Sequence, residues 1–182
     1  MTPVPPGKLR GQGMASRGTR EGHMGERYVV AEGTHEAGTS WVVWARRDEP
    51  HDGDLLSMIR LTDTSGRIVH AGGSSGPPLY PGHMLNVSTG GSEEGPRALL
   101  ARVDPAIRRL ELRTRNGGAM DVPLFDCPDI PEVRFGALLL PRDLPLDSLA
   151  GFGAKGAEVE RFDLRFQQGR WEARHLAAPA GR

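Results

Sequence analysis

Between residues 28 and 166 the apolar side chains recur at every second position, in bursts of strand length that Gly, Pro, Asn or Asp cut short. A repeat of two suits a segment with one buried and one wetted face, whereas a helix would show a repeat near 3.6. In residues 109–113, Leu110 and Leu112 fall on one side and Arg109, Glu111 and Arg113 on the other. Asn116-Gly117, a dipeptide that tolerates positive φ, follows at once. Met120, Val122 and Leu124 then alternate again, so residues 107–125 predict a β-hairpin. Val133, Phe135, Ala137 and Leu139 predict a further strand. Leu138 and Leu140 on its opposite side make it central and covered on both faces, until Pro141 ends it. Residues 149–152 and 158–166 flank Ala154-Lys155-Gly156 as a second hairpin, with Phe162, Leu164 and Phe166 on one side. Upstream, residues 28–31, 40–46, 56–62, 67–71, 84–88 and 98–103 supply the remaining strands. About ten strands at short spacing imply an all-β chain. The expected architecture is a two-layer antiparallel β-sandwich, Ig-like or jelly-roll-like, with a closed β-barrel as the alternative.

Organisation follows from where the anchors stop. Residues 1–26 hold Val4, Leu9, Met14 and Met24 as their larger apolar side chains, too few to offset the entropy of ordering, and are expected to form a flexible arm. Met1, Met14 and Met24 are all candidate natural starts. Residues 27–176 form the single domain, and 177–182 a second flexible tail. A chain of 182 residues buries roughly two thirds of its unfolded surface, enough for a core without disulfides or metal. The single Cys127 can make no internal disulfide and no thiolate zinc site by itself.

Charge and hydropathy exclude some partners. With 23 Lys and Arg against 23 Asp and Glu, no net field favours nucleic acid or an anionic membrane. No apolar run approaches the roughly 18 residues of a membrane helix, and none follows Lys8, Arg10, Arg17 and Arg20 as the apolar part of an export signal. A cytoplasmic setting is the expectation.

Several segments, in order and spacing, carry a resemblance: residues 30–34, Trp41 with Val42-Val43, residues 85–88 with Gly90-Gly91, the hairpin around Gly117, residues 135–141, then Leu149-Ala150 and Gly156. Over residues 28 to about 165 the chain resembles a family of small actinobacterial β-rich domains of unassigned function. The resemblance implies a β-sandwich fold and no reaction. Similar proteins often carry a membrane anchor or export signal ahead of the domain.

Motifs that would carry chemistry lack their context. Gly72-Gly73-Ser74-Ser75-Gly76 matches the G-x-S-x-G nucleophile elbow, but Pro77-Pro78 stands where the supporting helix should begin, so Ser74 reads as part of a flexible loop. Asp48, Glu49, His51, Asp52 and Asp54 gather possible metal ligands without EF-hand spacing, and read as an acidic turn. His23, His35, His70, His83 and His175 show no zinc-binding spacing, although His70 and His83 could converge across the Gly-rich segment 72–83. Asp121, Asp126 and Asp129 offer carboxylates with no sign of pairing. Cys127, between acids, reads as a buried inert thiol, with a reactive loop-tip cysteine as the alternative. The Gly-rich stretches 72–76 and 90–95 lack the phosphate-binding lysine and read as loops. Trp41 and Trp44 differ by three and so point to opposite faces of one strand. Asn86-Val87-Ser88 fits the glycosylation sequon, a signal without meaning in a chain that is not exported.

No catalytic residue, metal ligand or cofactor is therefore expected. The leading expectation is a non-enzymatic β-sandwich module that binds another protein through an edge strand or the loops at one end. The alternative is a module for carbohydrate or a small ligand that uses Trp44, His70, His83 and the segments 72–83 and 89–96. A hydrolase comes third.

Overall fold

The computed structural model describes residues 26–35, 38–48, 53–91 and 95–165. The expected arm, apart from Glu26, and the tail at 177–182 lie outside them. The described residues form twelve strands: β1 (Tyr28–Thr34), β2 (Ser40–Arg47), β3 (Leu55–Thr62), β4 (Ile68–Gly76), β5 (Leu85–Gly91), β6 (Arg97–Val103), β7 (Arg109–Thr114), β8 (Ala119–Val122), β9 (Leu124–Asp126), β10 (Arg134–Leu140), β11 (Leu146–Phe152) and β12 (Glu158–Asp163). They pair antiparallel into a front sheet β1-β2-β3-β4, a middle sheet β5-β6-β10-β9 and a back sheet β12-β11-β7-β8, none closed into a barrel.

The all-β sandwich expected from the alternation is what forms, and it forms twice about a shared middle sheet. In β6 every residue is buried, because its two sides meet different partners. Leu99, Ala101 and Val103, with Leu85 and Val87 of β5, pack on Leu110, Leu112, Val122 and Leu149 of the back sheet. On the other side Ala98, Leu100 and Ala137 pack on Val43, Ile59 and Leu61 of the front sheet. Ala45 and Leu55 meet Phe135, Val133, Ile130 and Cys127 farther along that interface. Each large aliphatic side chain so enclosed contributes about 1.5–3 kcal/mol of transfer free energy. The back sheet approaches closely at Gly136, where a Cβ would lie 2.8 Å from Leu110 Cδ2.

One turn recurs. In the predicted 107–125 hairpin, Thr114 N–H donates to Gly118 O and Gly117 N–H to Thr114 O, with Gly117 at φ 83°. The same pair of bonds closes the β11–β12 hairpin from Gly153, with Gly156 at φ 74°, and the β1–β2 and β3–β4 connections from His35 and Asp63. In each, the residue at the fourth position is left-handed, a conformation that favours glycine because a Cβ there crowds the backbone.

Three local expectations are corrected. Residues 72–76 are not a loop but the second half of β4, which runs on through His70 rather than ending there. Gly90-Gly91 likewise belong to β5. Leu124, expected in the second arm of the 107–125 hairpin, leaves it after Val122, where Pro123 has no N–H to continue the ladder, and joins the middle sheet as β9 beside β10. Among the described residues no helix is long and apolar enough to cross a membrane.

Candidate functional site

Strand parity decides which side chains of the front sheet look outward. Trp41, Val43 and Ala45 of β2 face the middle sheet, Trp41 with its ring 6.3 Å from that of Phe125. Val42, Trp44 and Arg46 therefore face away from it. The register then aligns Val29, Trp44, Met58 and Gly73 in one row across all four strands. Val29 is 57% exposed, and Trp44 and Met58 are partly exposed. A Cβ at Gly73 would lie 1.9 Å from Ser57 O and 2.8 Å from Met58 Sδ, so the methionine lies against bare backbone. Beside this row run Glu32, Val42, Arg60 and Ala71 on one side and Arg46, Leu56 and Ser75 on the other. The Arg27 guanidinium stacks 4.1 Å from the Trp44 ring centre. Arg46 Nε is buried with no hydrogen-bond partner among the described residues. The result is an apolar row with Arg27, Arg46 and Arg60 around it, Glu32 in one neighbouring row, and Asp48 at the other, where its Oδ2 accepts from Ser75 Oγ at 3.3 Å.

The outward side of the back sheet is built differently. Glu111 accepts from Arg109 at 2.6 Å and from Arg113 at 2.8 Å, Arg109 also reaches Asp121, and Glu158 accepts from Arg161 and Arg113 at 2.8 and 3.2 Å. Those guanidinium donors, Arg109 first, hold the Glu111 carboxyl below its ordinary range, and Arg161 does the same for Glu158. Arg109 also lies 3.9 Å over the Phe152 ring. Singly such exposed pairs contribute little, but as a lattice they leave the surface no open apolar row.

Trp44, His70 and His83 are not brought together. Trp44 looks outward from the front sheet. His70 points inward between β4 and β5, its ring against Gly72 and Gly90. His83 sits in the β4–β5 connection, its Nδ1 2.9 Å from Glu160 Oε1 of the back sheet. Gly90 and Leu85 are five residues of extended chain apart, about 17 Å, so the two histidines do not converge.

The remaining chemistry-bearing residues are engaged elsewhere. Ser74 lies mid-strand, and its Oγ accepts from Arg102 Nη2 at 2.9 Å. Asp126 pairs with Arg134 at 2.7 Å, and Asp121 with Arg109 at 3.3 Å. Cys127 is buried, and that burial pushes its thiol pKa up. Glu49, His51 and Asp52 lie outside the described residues. Among those described, no group of three or more His, Cys, Asp or Glu is placed to hold a metal. A cleft of about 330 Å³ is lined by His35, Asp63, Arg67 and Arg142 among others. Its carboxylate is committed: Ser65 and Arg67 donate to Asp63 and hold it at about 2.

No protein-family model matches the chain, and neither a curated protein nor a solved structure matches it. Sequence reasoning separated Trp41 from Trp44 by parity but missed the row, because Val29, Met58 and Gly73 join Trp44 only through strand register.

Proposed function

We propose that this domain is a non-enzymatic module that binds another protein, and that it does so on the outward face of the front sheet. The observation that carries the reading is the apolar row Val29, Trp44, Met58 and Gly73, left open on one outer sheet while ion pairs close the other. An open row across four strands is the kind of patch that marks a contact surface, and a tryptophan at its centre is a typical anchor. Arg27, Arg46 and Arg60 outnumber Glu32 and Asp48 among the described residues around it. The partner is accordingly an acidic segment with an apolar side chain that lies on Met58 and Trp44.

A random-peptide phage library panned on the intact chain tests this. The expected winners are rich in Asp and Glu around Trp, Phe or Leu, and they lose at least tenfold in affinity for Met58→Glu, about 1.4 kcal/mol. Winners that bind Met58→Glu equally well, or that carry no acidic residues, would refute the reading. Loss of glycan-array binding in Trp44→Ala would point to the carbohydrate module instead.

A further inference from the structure

Between β4 and β5 the front and middle sheets face each other with polar and small side chains instead of aliphatic ones. Parity and register place His70, Gly72 and Ser74 there from β4, Ser57 beside Ser74 from β3, and Asn86, Ser88 and Gly90 from β5. Arg102 of β6 stands opposite Asn86 and is 1% exposed. Its Nη1 donates to Leu55 O at 3.1 Å and Gly76 O at 3.0 Å, and its Nη2 to Ser74 Oγ. All three acceptors are neutral. Among the described residues no carboxylate pairs with it; Asp54 acts on it only through its field. A guanidinium out of water with no counter-charge in contact is costly.

The same compartment collects unused polar atoms. Six buried side-chain atoms among the described residues lack a hydrogen-bond partner, and four of them, Arg102 Nε, Asn86 Nδ2, Ser57 Oγ and His70 Nε2, belong to this seam. Arg102 Nε–H and Asn86 Nδ2–H are donors, and the Ser57 hydroxyl can donate. Ser57 is wholly buried. Buried donors of this kind are rarely left without an acceptor. His70 closes the seam towards Gly90, where its ring approaches the Cβ position to 3.1 Å.

We propose that this seam holds one small monovalent anion of chloride size, bound by Arg102 Nε and Asn86 Nδ2 with Ser57 Oγ as third donor. It supplies the missing counter-charge, where a water molecule would satisfy the donors and leave the charge uncompensated. The seam is independent of the outward face of the front sheet.

Bromide, which replaces chloride and scatters anomalously, tests this in crystals of the full chain. An anomalous peak within hydrogen-bond distance of Arg102 Nε and Asn86 Nδ2 is the expected result. In solution, chloride replacing gluconate at constant ionic strength should raise the melting temperature, and both Asn86→Leu and Ser57→Ala should lessen or abolish that rise while Arg102 keeps its three bonds. Two variants are used so that one failing to fold does not silence the test. Ordered water without anomalous signal at the seam, or a chloride response unchanged in the variants, would overturn the proposal.

Discussion

If the middle sheet is clasped by the back sheet as described, Gly136 and Leu110 must be energetically coupled. Gly136 lies on β10, and a Cβ there would sit 2.8 Å from Leu110 Cδ2, 3.5 Å from Val122 Cγ1 and 3.6 Å from Ala101 Cβ. Carbon atoms pack best at about 3.5–4.0 Å, so the first contact is short by about 1 Å. Leu110 is 1% exposed and has no solvent to retreat into. Forcing a methyl group into such a place costs about 1–3 kcal/mol, offset by about 0.5–1 kcal/mol because alanine loses less backbone freedom than glycine in a strand. Gly136→Ala should therefore destabilise by up to about 2.5 kcal/mol, and Leu110→Ala, which opens a cavity, by about 2–5 kcal/mol. In the double variant the new methyl enters vacated space, so the total loss should fall short of the sum by about 1–3 kcal/mol. Equilibrium urea unfolding of the four proteins measures this, provided the slope m stays constant. Additivity within about 0.5 kcal/mol, the behaviour of residues that do not touch, would refute the placement of β10 beneath Leu110.

Two further outcomes follow from buried groups. Burial holds the His70 imidazole below its ordinary pKa of 6.5, so the unfolded chain takes up a proton that the folded one resists. The contribution is fully present above 6.5 and is lost as the pH falls through 6.5 towards the folded value; His70→Gln should show a shallower acid loss of stability, and an equal slope in both proteins would contradict the burial. Cys127, 5% exposed with its thiol pKa raised by that burial, should resist a thiol-specific disulfide reagent in the native state and react fully in denaturant. Rapid native labelling would mean that the segment between β9 and β10 opens readily.

The strand pattern was legible wherever side chains alternate in kind. Leu110 and Leu112 against Arg109, Glu111 and Arg113 announced β7, and Asn116-Gly117 announced its turn. Apolar residues on both sides of β10 announced a central strand. Residues 98–101 of β6 carry the same signal, but Arg97 and Arg102 at the ends disguise a strand that is buried throughout. The glycines of β4 and β5 show no alternation and have low strand propensity, so they read as loops. In the folded chain bare backbone is what gives the His70 ring and the Met58 thioether room to lie flat. The candidate surface was legible only at Trp44. Its row crosses four strands, and a linear sequence does not encode the register that assembles it.

With β6 and β10 between them, the two outer sheets share no common wall. A residue such as Arg161 can be exchanged for a dye, a tether or a purification handle, and the disturbance must traverse two sheet interfaces before reaching Met58. The domain is thus a natural double-sided tile, with one side free to be rewritten while the other is left to its own business.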